Sequence, residues 1–344
     1  MKPIALLFAL CAALTLQAQG LKDAYKDRFR MGVALSGRNV RIDAEKDLIR
    51  QEFSSVTCEN AMKPASVHPA PGVWRWEEAD RIANFCRENK IPMRGHCLVW
   101  HNQFADWMFT DRDGNPVPKD TFYVRLREHI YTVVSRYKDI VYAWDVVNEA
   151  MSDGGPNPYR RTKLYDLCGD EFIAKAFQWA HEADPKAQLF YNDYNECNPR
   201  KRDNIFQMVV RMRAEGVPID GIGMQGHYNI FYPSVDELSA AIELYASVVP
   251  HVHVTELDVR AGKEMGGQLQ FKKEGLDLGD TVRAMHTEQY RKLFETFRRY
   301  GDKLECVTFW NLHDGCSWLG EQNYPLVFDS KLNKKPAYEA IRKW

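Results

Sequence analysis

The 344-residue chain has almost no charge imbalance: 46 Lys and Arg against 47 Asp and Glu leave a formal net charge of −1. Its basic residues are scattered, so the clustered footprint of a nucleic-acid-binding surface is missing. The N-terminal apolar run, residues 4–16, falls short of the ~20 residues a bilayer requires, so no membrane span is expected. There is no Ser/Pro-rich linker, low-complexity tract or internal repeat, which argues against tethered modules or a solenoid. None of the eight cysteines forms a C-x-x-C pair, so zinc-knuckle and thioredoxin-type readings have no support.

A basic start, the short apolar run and the segment Gln17-Ala18-Gln19 read as a secretory signal over residues 1–18, cleaved after Ala18. A lipoprotein anchor through Cys11 is disfavoured, because Leu10 stands where a small residue would be needed. The mature chain, residues 19–344, is then expected to be a single secreted or periplasmic domain acting as a monomer. It keeps Cys58, Cys86, Cys97, Cys168, Cys197, Cys306 and Cys316, an odd number that leaves at least one thiol unpaired. Cys58, Cys97 and Cys306 fall inside expected strands, where a free thiol packs as a small hydrophobe.

What the chain does have is alternation. Short apolar runs at 31–36, 54–60, 92–100, 141–149, 187–195, 221–227, 251–259 and 306–312 read as buried strands. Helical spacing lies between them: Phe122, Leu126, Ile130, Val133 and Tyr137; then Leu238, Ile242 and Tyr245; then Tyr290, Phe294 and Phe297. Strand-then-helix repeated about eight times predicts an α/β fold of the (β/α)8 TIM-barrel class rather than a doubly wound sheet.

Two of the runs end in glutamate: Val141 through Glu149, and His251 through Glu256. Most acidic residues of a globular chain lie on solvated faces. A carboxylate closing a Val-rich strand is a different case, since burying it without compensation is costly. Parallel barrels gather catalytic groups at the C-terminal ends of their strands, and glycosidic cleavage needs two carboxyl groups across one bond. Other strand ends add to the same rim: Glu59, Asn60 and Lys63; His96, Trp100 and His101; Asn192 and Asn195; Gln225 and His227; Asp258; Trp310 and Trp318.

Two tempting motifs fail on context. Gly221-Ile-Gly-Met-Gln-Gly226 spells a dinucleotide fingerprint, but it lies within a strand and no helix start follows it. His251 and His253 resemble a metal pair, yet they open their strand and so sit on the stable face of a barrel. The indoles Trp74, Trp76, Trp100, Trp107, Trp310 and Trp318 are many for polar loops, whereas Trp144 and Trp179 read as core. Flat apolar faces beside amides and carboxylates suit sugar rings.

On these residues the chain resembles the endo-1,4-β-xylanases of glycoside hydrolase family 10. The stretches that carry the likeness are Thr57-Cys-Glu-Asn-Ala-Met-Lys63, Arg94-Gly-His-Cys-Leu-Val-Trp-His101, Trp144-Asp-Val-Val-Asn-Glu149, Tyr191-Asn-Asp-Tyr-Asn195, Gly223-Met-Gln-Gly-His227 and Thr255-Glu-Leu-Asp258, with the segment from Trp310 to Trp318. The resemblance implies retaining hydrolysis of xylan and xylo-oligosaccharides, with Glu149 as acid/base and Glu256 as nucleophile, and with no cofactor or metal. It implies that Glu59, Asn60 and Lys63 hold the glycone two sugars from the cut. His96, Trp100, Asn148, Gln225, Trp310 and Trp318 would surround the sugar under attack. His227 would bond the nucleophile and be oriented by Asp258. Cys58, where members often carry proline, and His313-Asp314, where many have Thr-Asp, depart from the pattern beside these positions.

Related barrels that cut cellulose or mixed-linkage glucan are the nearest alternative. A bulky Trp100/Trp318 lining would oppose them by excluding a hydroxymethyl group that xylose lacks. A carbohydrate-binding barrel without catalysis is opposed by the presence of both carboxylates, and a metal-dependent barrel hydrolase is a more distant alternative. The segment 261–280, with five glycines and no periodicity, is expected to shape the aglycone end of the cleft.

Overall fold

Parallel strands covered by helices on one side and by a barrel interior on the other should be apolar throughout. The computed structural model, which describes residues 20–262 and 279–343, has that character. The strands are β1 (Arg30–Leu35), β2 (Ser55–Cys58), β3 (Met93–Trp100), β4 (Val141–Asn148), β5 (Gln188–Asp193), β6 (Gly221–Met224), β7 (His227–Asn229), β8 (His251–Arg260) and β9 (Leu304–Phe309). Every pairing between them is parallel. The order runs β1 to β6, then β8 and β9, and β9 returns to β1, which closes an eight-membered ring. β7 pairs only with the upper part of β8, His227 opposite Asp258. The (β/α)8 expectation holds.

One expected strand, 221–227, is divided. Gly226 adopts a left-handed φ of +78°, and the chain leaves β6 at Met224 and re-enters register as β7. A Cβ at Gly226 would press on Val254 and Leu257 as well as strain the backbone. No helix follows these glycines until Val235, so the dinucleotide reading fails here too. Gly95 serves a different purpose: a Cβ there would lie 2.1 Å from the Trp144 ring, so only glycine lets β3 and β4 close over that buried indole.

The helices bury the stripes expected of them. Lys119–Tyr137 turns Phe122, Leu126, Ile130, Val133 and Tyr137 inward; Val235–Ala246 turns Leu238, Ile242 and Tyr245; Asp280–Arg299 turns Tyr290, Phe294 and Phe297. Ser234 starts the second of these with a reciprocal capping box, its hydroxyl accepting from Glu237 N–H.

The barrel interior is not a purely apolar plug. Arg94 on β3 is wholly buried and grips Asp145 on β4 with two parallel N–H···O bonds of 2.6 and 3.1 Å. Its Nε donates to His253 Nδ1 at 3.1 Å. His251 Nδ1 lies 2.6 Å from Glu305, and His253 Nε2 lies 3.7 Å from the same carboxylate. The histidine pair of β8 is therefore spent on a buried charge network at the N-terminal ends of the strands, a structural role.

Six of the seven cysteines described are buried, Cys316 is half-buried, and all seven carry free thiols. Cys11 and residues 1–18 lie outside the described residues, as does most of the 261–280 segment.

Candidate active site

β4 and β8 stand fourth and seventh in the ring; the end of β4 and the upper half of β8 deliver Glu149 and Glu256 to one cleft of about 1010 Å³. All ten residues expected to contact substrate also line it: Glu59, Asn60, Lys63, His96, Trp100, Asn148, Gln225, His227, Trp310 and Trp318, with Asp258 beside them. β2 and β6 face each other across an eight-membered ring, so a cleft lined from Glu59 to Tyr232 spans the barrel mouth.

Glu256 is buried, 4% exposed, and surrounded by donors. Asn192 Nδ2 donates to its Oε1 at 2.7 Å, and His227 Nε2 lies 3.2 Å from Oε2. His96 Nδ1 approaches Oε1 at 3.9 Å. Burial alone would raise this carboxyl, but the His96 and His227 imidazoles outweigh it and hold Glu256 below the usual carboxylate range. Burial would likewise strip the proton from His227. Asp258, 2.9 Å from its Nδ1, and Glu256 on the other nitrogen instead raise it well above an ordinary imidazole.

Glu149 sits in a different environment. Its Oε1 accepts from Gln225 Nε2 at 3.1 Å and faces Asn148 Nδ2 at 3.4 Å, both neutral amides. Its backbone is left-handed, φ +57°, a conformation a non-glycine residue adopts at a cost. Asn148 Oδ1 accepts from Asn192 at 2.9 Å and from Gln225 at 3.2 Å, which turns its NH₂ group toward the cleft. The two carboxylates thus share amide neighbours, while only Glu256 has imidazoles against it among the contacts described.

On the β2 side Lys63 is buried, donates to Asn60 Oδ1 at 2.9 Å and lies 4.6 Å from the centroid of Trp100. Trp310 meets His96 edge to face at 5.1 Å, and Trp318 meets His227 at 5.1 Å. The indoles Trp74, Trp76 and Trp107 do not reach the cleft. Trp74 is stacked between Trp76 and His68, and Trp107 Nε1 donates to the His68 carbonyl, so these three pack the flank of the barrel. A position after a strand end brings a residue to the rim side of the barrel without saying whether it turns inward.

Four residues that complete the site carried no assigned role in the sequence reading. Asn192 bridges Asn148 and Glu256, and Thr255 Oγ1 fixes Asn192 by donating to its Oδ1 at 2.6 Å. Asp145 accepts from His96 Nδ1 at 3.0 Å and is itself held by Arg94. Burial would raise Asp145; Arg94 and His96 hold it below its usual range. The available signal was a charge inside each of two adjacent buried strands, Arg94 and Asp145, since such groups persist only when paired.

The profile of glycosyl hydrolase family 10 matches residues 20–344. An endo-1,4-beta-xylanase/feruloyl esterase of Xylanibacter ruminicola is 53% identical over 336 residues, covering 94% of this chain. The chain spans just under half of that longer protein, 46%. Endo-1,4-beta-xylanase B of Paenibacillus barcinonensis is 40% identical over 334 residues, 95% of this chain and 99% of that one. Among solved structures, a psychrophilic glycoside hydrolase family 10 endo-beta-1,4-xylanase superposes with a TM-score of 0.90 at 50% identity, over 95% of this chain and all of its own.

Proposed function

The chain belongs to glycosyl hydrolase family 10, and we propose that it cuts internal β-1,4-xylosidic bonds of xylan with retention of configuration, through Glu149 and Glu256. The observation that carries this reading is the contrast between two carboxyl groups in one cleft. Glu256 is pressed toward the ionised form by imidazoles, and Glu149 meets neutral amides. A double displacement needs that division of labour.

In the first step a Glu256 oxygen attacks the anomeric carbon as the bond to the leaving sugar breaks. Glu149 gives its proton to the departing oxygen, and a glycosyl ester on Glu256 results. In the second step Glu149 takes a proton from water, the water oxygen attacks the same carbon, and Glu256 leaves as a carboxylate. The positive charge that builds on the ring meets a desolvated anion fixed by Asn192 and His227. Asn148 is suited to bond the 2-hydroxyl of that sugar, and Trp100, Trp310 and Trp318 to pack on its apolar faces.

Product analysis on linear and on arabinose- or glucuronate-substituted xylan tests this, with carboxymethylcellulose as comparison. Short oligosaccharides from xylan and far slower attack on the cellulose derivative are expected. Comparable rates on both would overturn the substrate, and release of xylose alone from the outset would overturn the internal mode of attack. Export through residues 1–18 and a monomeric state belong to the same reading. N-terminal sequencing of the exported protein, expected to begin at Gln19, and its elution volume test them.

A further inference from the structure

The eleven residues after Glu149 fold back as a hairpin, with Arg160 N–H donating to Ala150 O at 2.8 Å and Ser152 N–H to Pro158 O at 2.7 Å. This hairpin carries a cluster of charges that the reaction above does not use. Arg160 Nε donates to the carbonyl of Glu149 itself at 3.0 Å, on the left-handed turn of the chain. Its Nη2 donates to Asp153 Oδ2 at 3.0 Å and to the Tyr194 hydroxyl at 2.7 Å. Tyr194 in turn donates to Asp153. Lys201, 2% exposed, bridges Asp153 and Asp193 at 2.7 and 2.9 Å, with its ammonium 3.6 Å from the centroid of the Tyr194 ring. Tyr194 and Asn195 are walls of the cleft, on the half of the ring away from Glu59 and Lys63.

A guanidinium offers its donors in one rigid plane, so a single Arg160 side chain ties three things at fixed relative positions: a carbonyl, a carboxylate and a phenol. The carbonyl matters most. A left-handed non-glycine residue persists only where its surroundings over-determine it. If the Glu149 peptide relaxed toward a commoner conformation, its carboxyl would swing away from the glycosidic oxygen. Proton transfer tolerates little of that, because acid and acceptor must lie within hydrogen-bond reach.

We propose that Arg160, anchored by Asp153, is a positioning residue for Glu149: it fastens the main chain of the proton donor to the Tyr194–Asn195 wall, so that donor and leaving-sugar surface keep one geometry. The inference rests on the acid/base reading of Glu149. It predicts a loss confined to reactions that need the proton, which a hairpin staple with a merely structural role would not produce.

Aryl β-xylobiosides graded from 2,4-dinitrophenol to phenol supply the readout, with kcat/KM measured for each on the full chain. Arg160→Gln should lower the phenyl substrate and xylan by about 30-fold or more, a part of the roughly 10²–10⁴-fold that general acid catalysis contributes, while the dinitrophenyl substrate falls by no more than about 3-fold. Arg160→Lys, which can restore one donor to the carbonyl, should recover part of the loss. Asp153→Asn should show the same pattern more weakly, and it decides the matter if melting curves show that Arg160→Gln has not folded. Equal loss across all leaving groups, or no loss, overturns the proposal. Glu149→Ala run in parallel separates the two readings. If it is steeply leaving-group dependent and the Arg160 and Asp153 variants are not, this inference falls alone; if it is not, the acid/base assignment falls with it.

Discussion

The indole N–H of Trp318 donates to Asp258 Oδ2 at 2.9 Å, the same oxygen that faces His227 Nδ1 at 2.9 Å. A tryptophan that is 48% exposed and suited to cover a sugar is thereby joined to the carboxylate that holds the imidazole on Glu256. The plate over the substrate and the electrostatics beneath it share one anchor.

That arrangement separates two effects. His227→Gln removes a cation from beside Glu256, and a carboxyl held below its usual range by His96 and that cation together must rise when one of them goes. Glu256 attacks only when ionised, so the acidic limb of the kcat/KM profile should move to higher pH. Trp318→Phe removes one donor from Asp258 but keeps the Asp258–His227–Glu256 contacts, so it should weaken substrate binding while moving that limb far less. A pH–rate series on both variants checks this, and an unmoved limb in His227→Gln would contradict it.

The two glutamates can be told apart by rescue. Glu149→Ala should lose turnover of xylan, whose leaving sugar needs a proton, yet still form the glycosyl-enzyme from a dinitrophenyl xylobioside and then stall. Azide should relieve the stall and give the β-glycosyl azide. Glu256→Ala should fail on both substrates, with azide giving at most the α product by direct inversion. Identification of the azide anomers decides, and the opposite pairing would mean the roles are exchanged.

Stability should fall in mild acid for a reason remote from the cleft. Burial lowers His68 to about 4 and, with His68 alongside, lowers His129 to about 3, from an ordinary 6.5. Their rings stack at 5.6 Å, with the Trp74 ring nearly parallel to both. Folded pKa values below the unfolded one mean that the unfolded chain binds more protons. The stability is therefore complete above pH ~6.5, declines as the pH drops, and is fully lost only below the folded values. His129→Leu should flatten the decline in denaturant midpoint between pH 6.5 and 4. An unchanged slope would remove these histidines from the account.

The buried thiols should behave as packing. Cys58 and Cys97 are fully buried, and burial pushes both thiols well up. Cys58→Ser and Cys97→Ser each bury a hydroxyl, at a cost on the order of 1–3 kcal/mol where it finds no partner. Melting temperatures should drop while kcat changes little. A large fall in kcat at constant melting temperature would indicate chemistry instead.

The strands were legible because each is a short apolar run in a parallel barrel, buried on both faces, and their polar C-terminal residues could therefore be assigned to one rim. Glu149, Glu256, His227 and Asp258 follow from that logic and meet as expected. The interruption at Gly226 was not legible, since period and hydrophobicity run straight through it and only the positive φ breaks the strand. Trp74, Trp76 and Trp107 show a second limit of the same kind, because sequence position says which end of the barrel a residue reaches but not which way its ring turns. Asn192 and Asp145 show a third. Their importance lies in what they bond, and those partners come from strands 44 to 64 residues away.

The left-handed backbone at Glu149 sets folding and activity against each other at one position. Glycine is the residue that conformation favours, so Glu149→Gly would relieve strain while deleting the proton donor. Selection for thermal robustness alone would drift toward a sturdier and inert barrel. Glutamate at that position exchanges backbone comfort for a proton donor, so improvement of this scaffold has to screen for both properties at once.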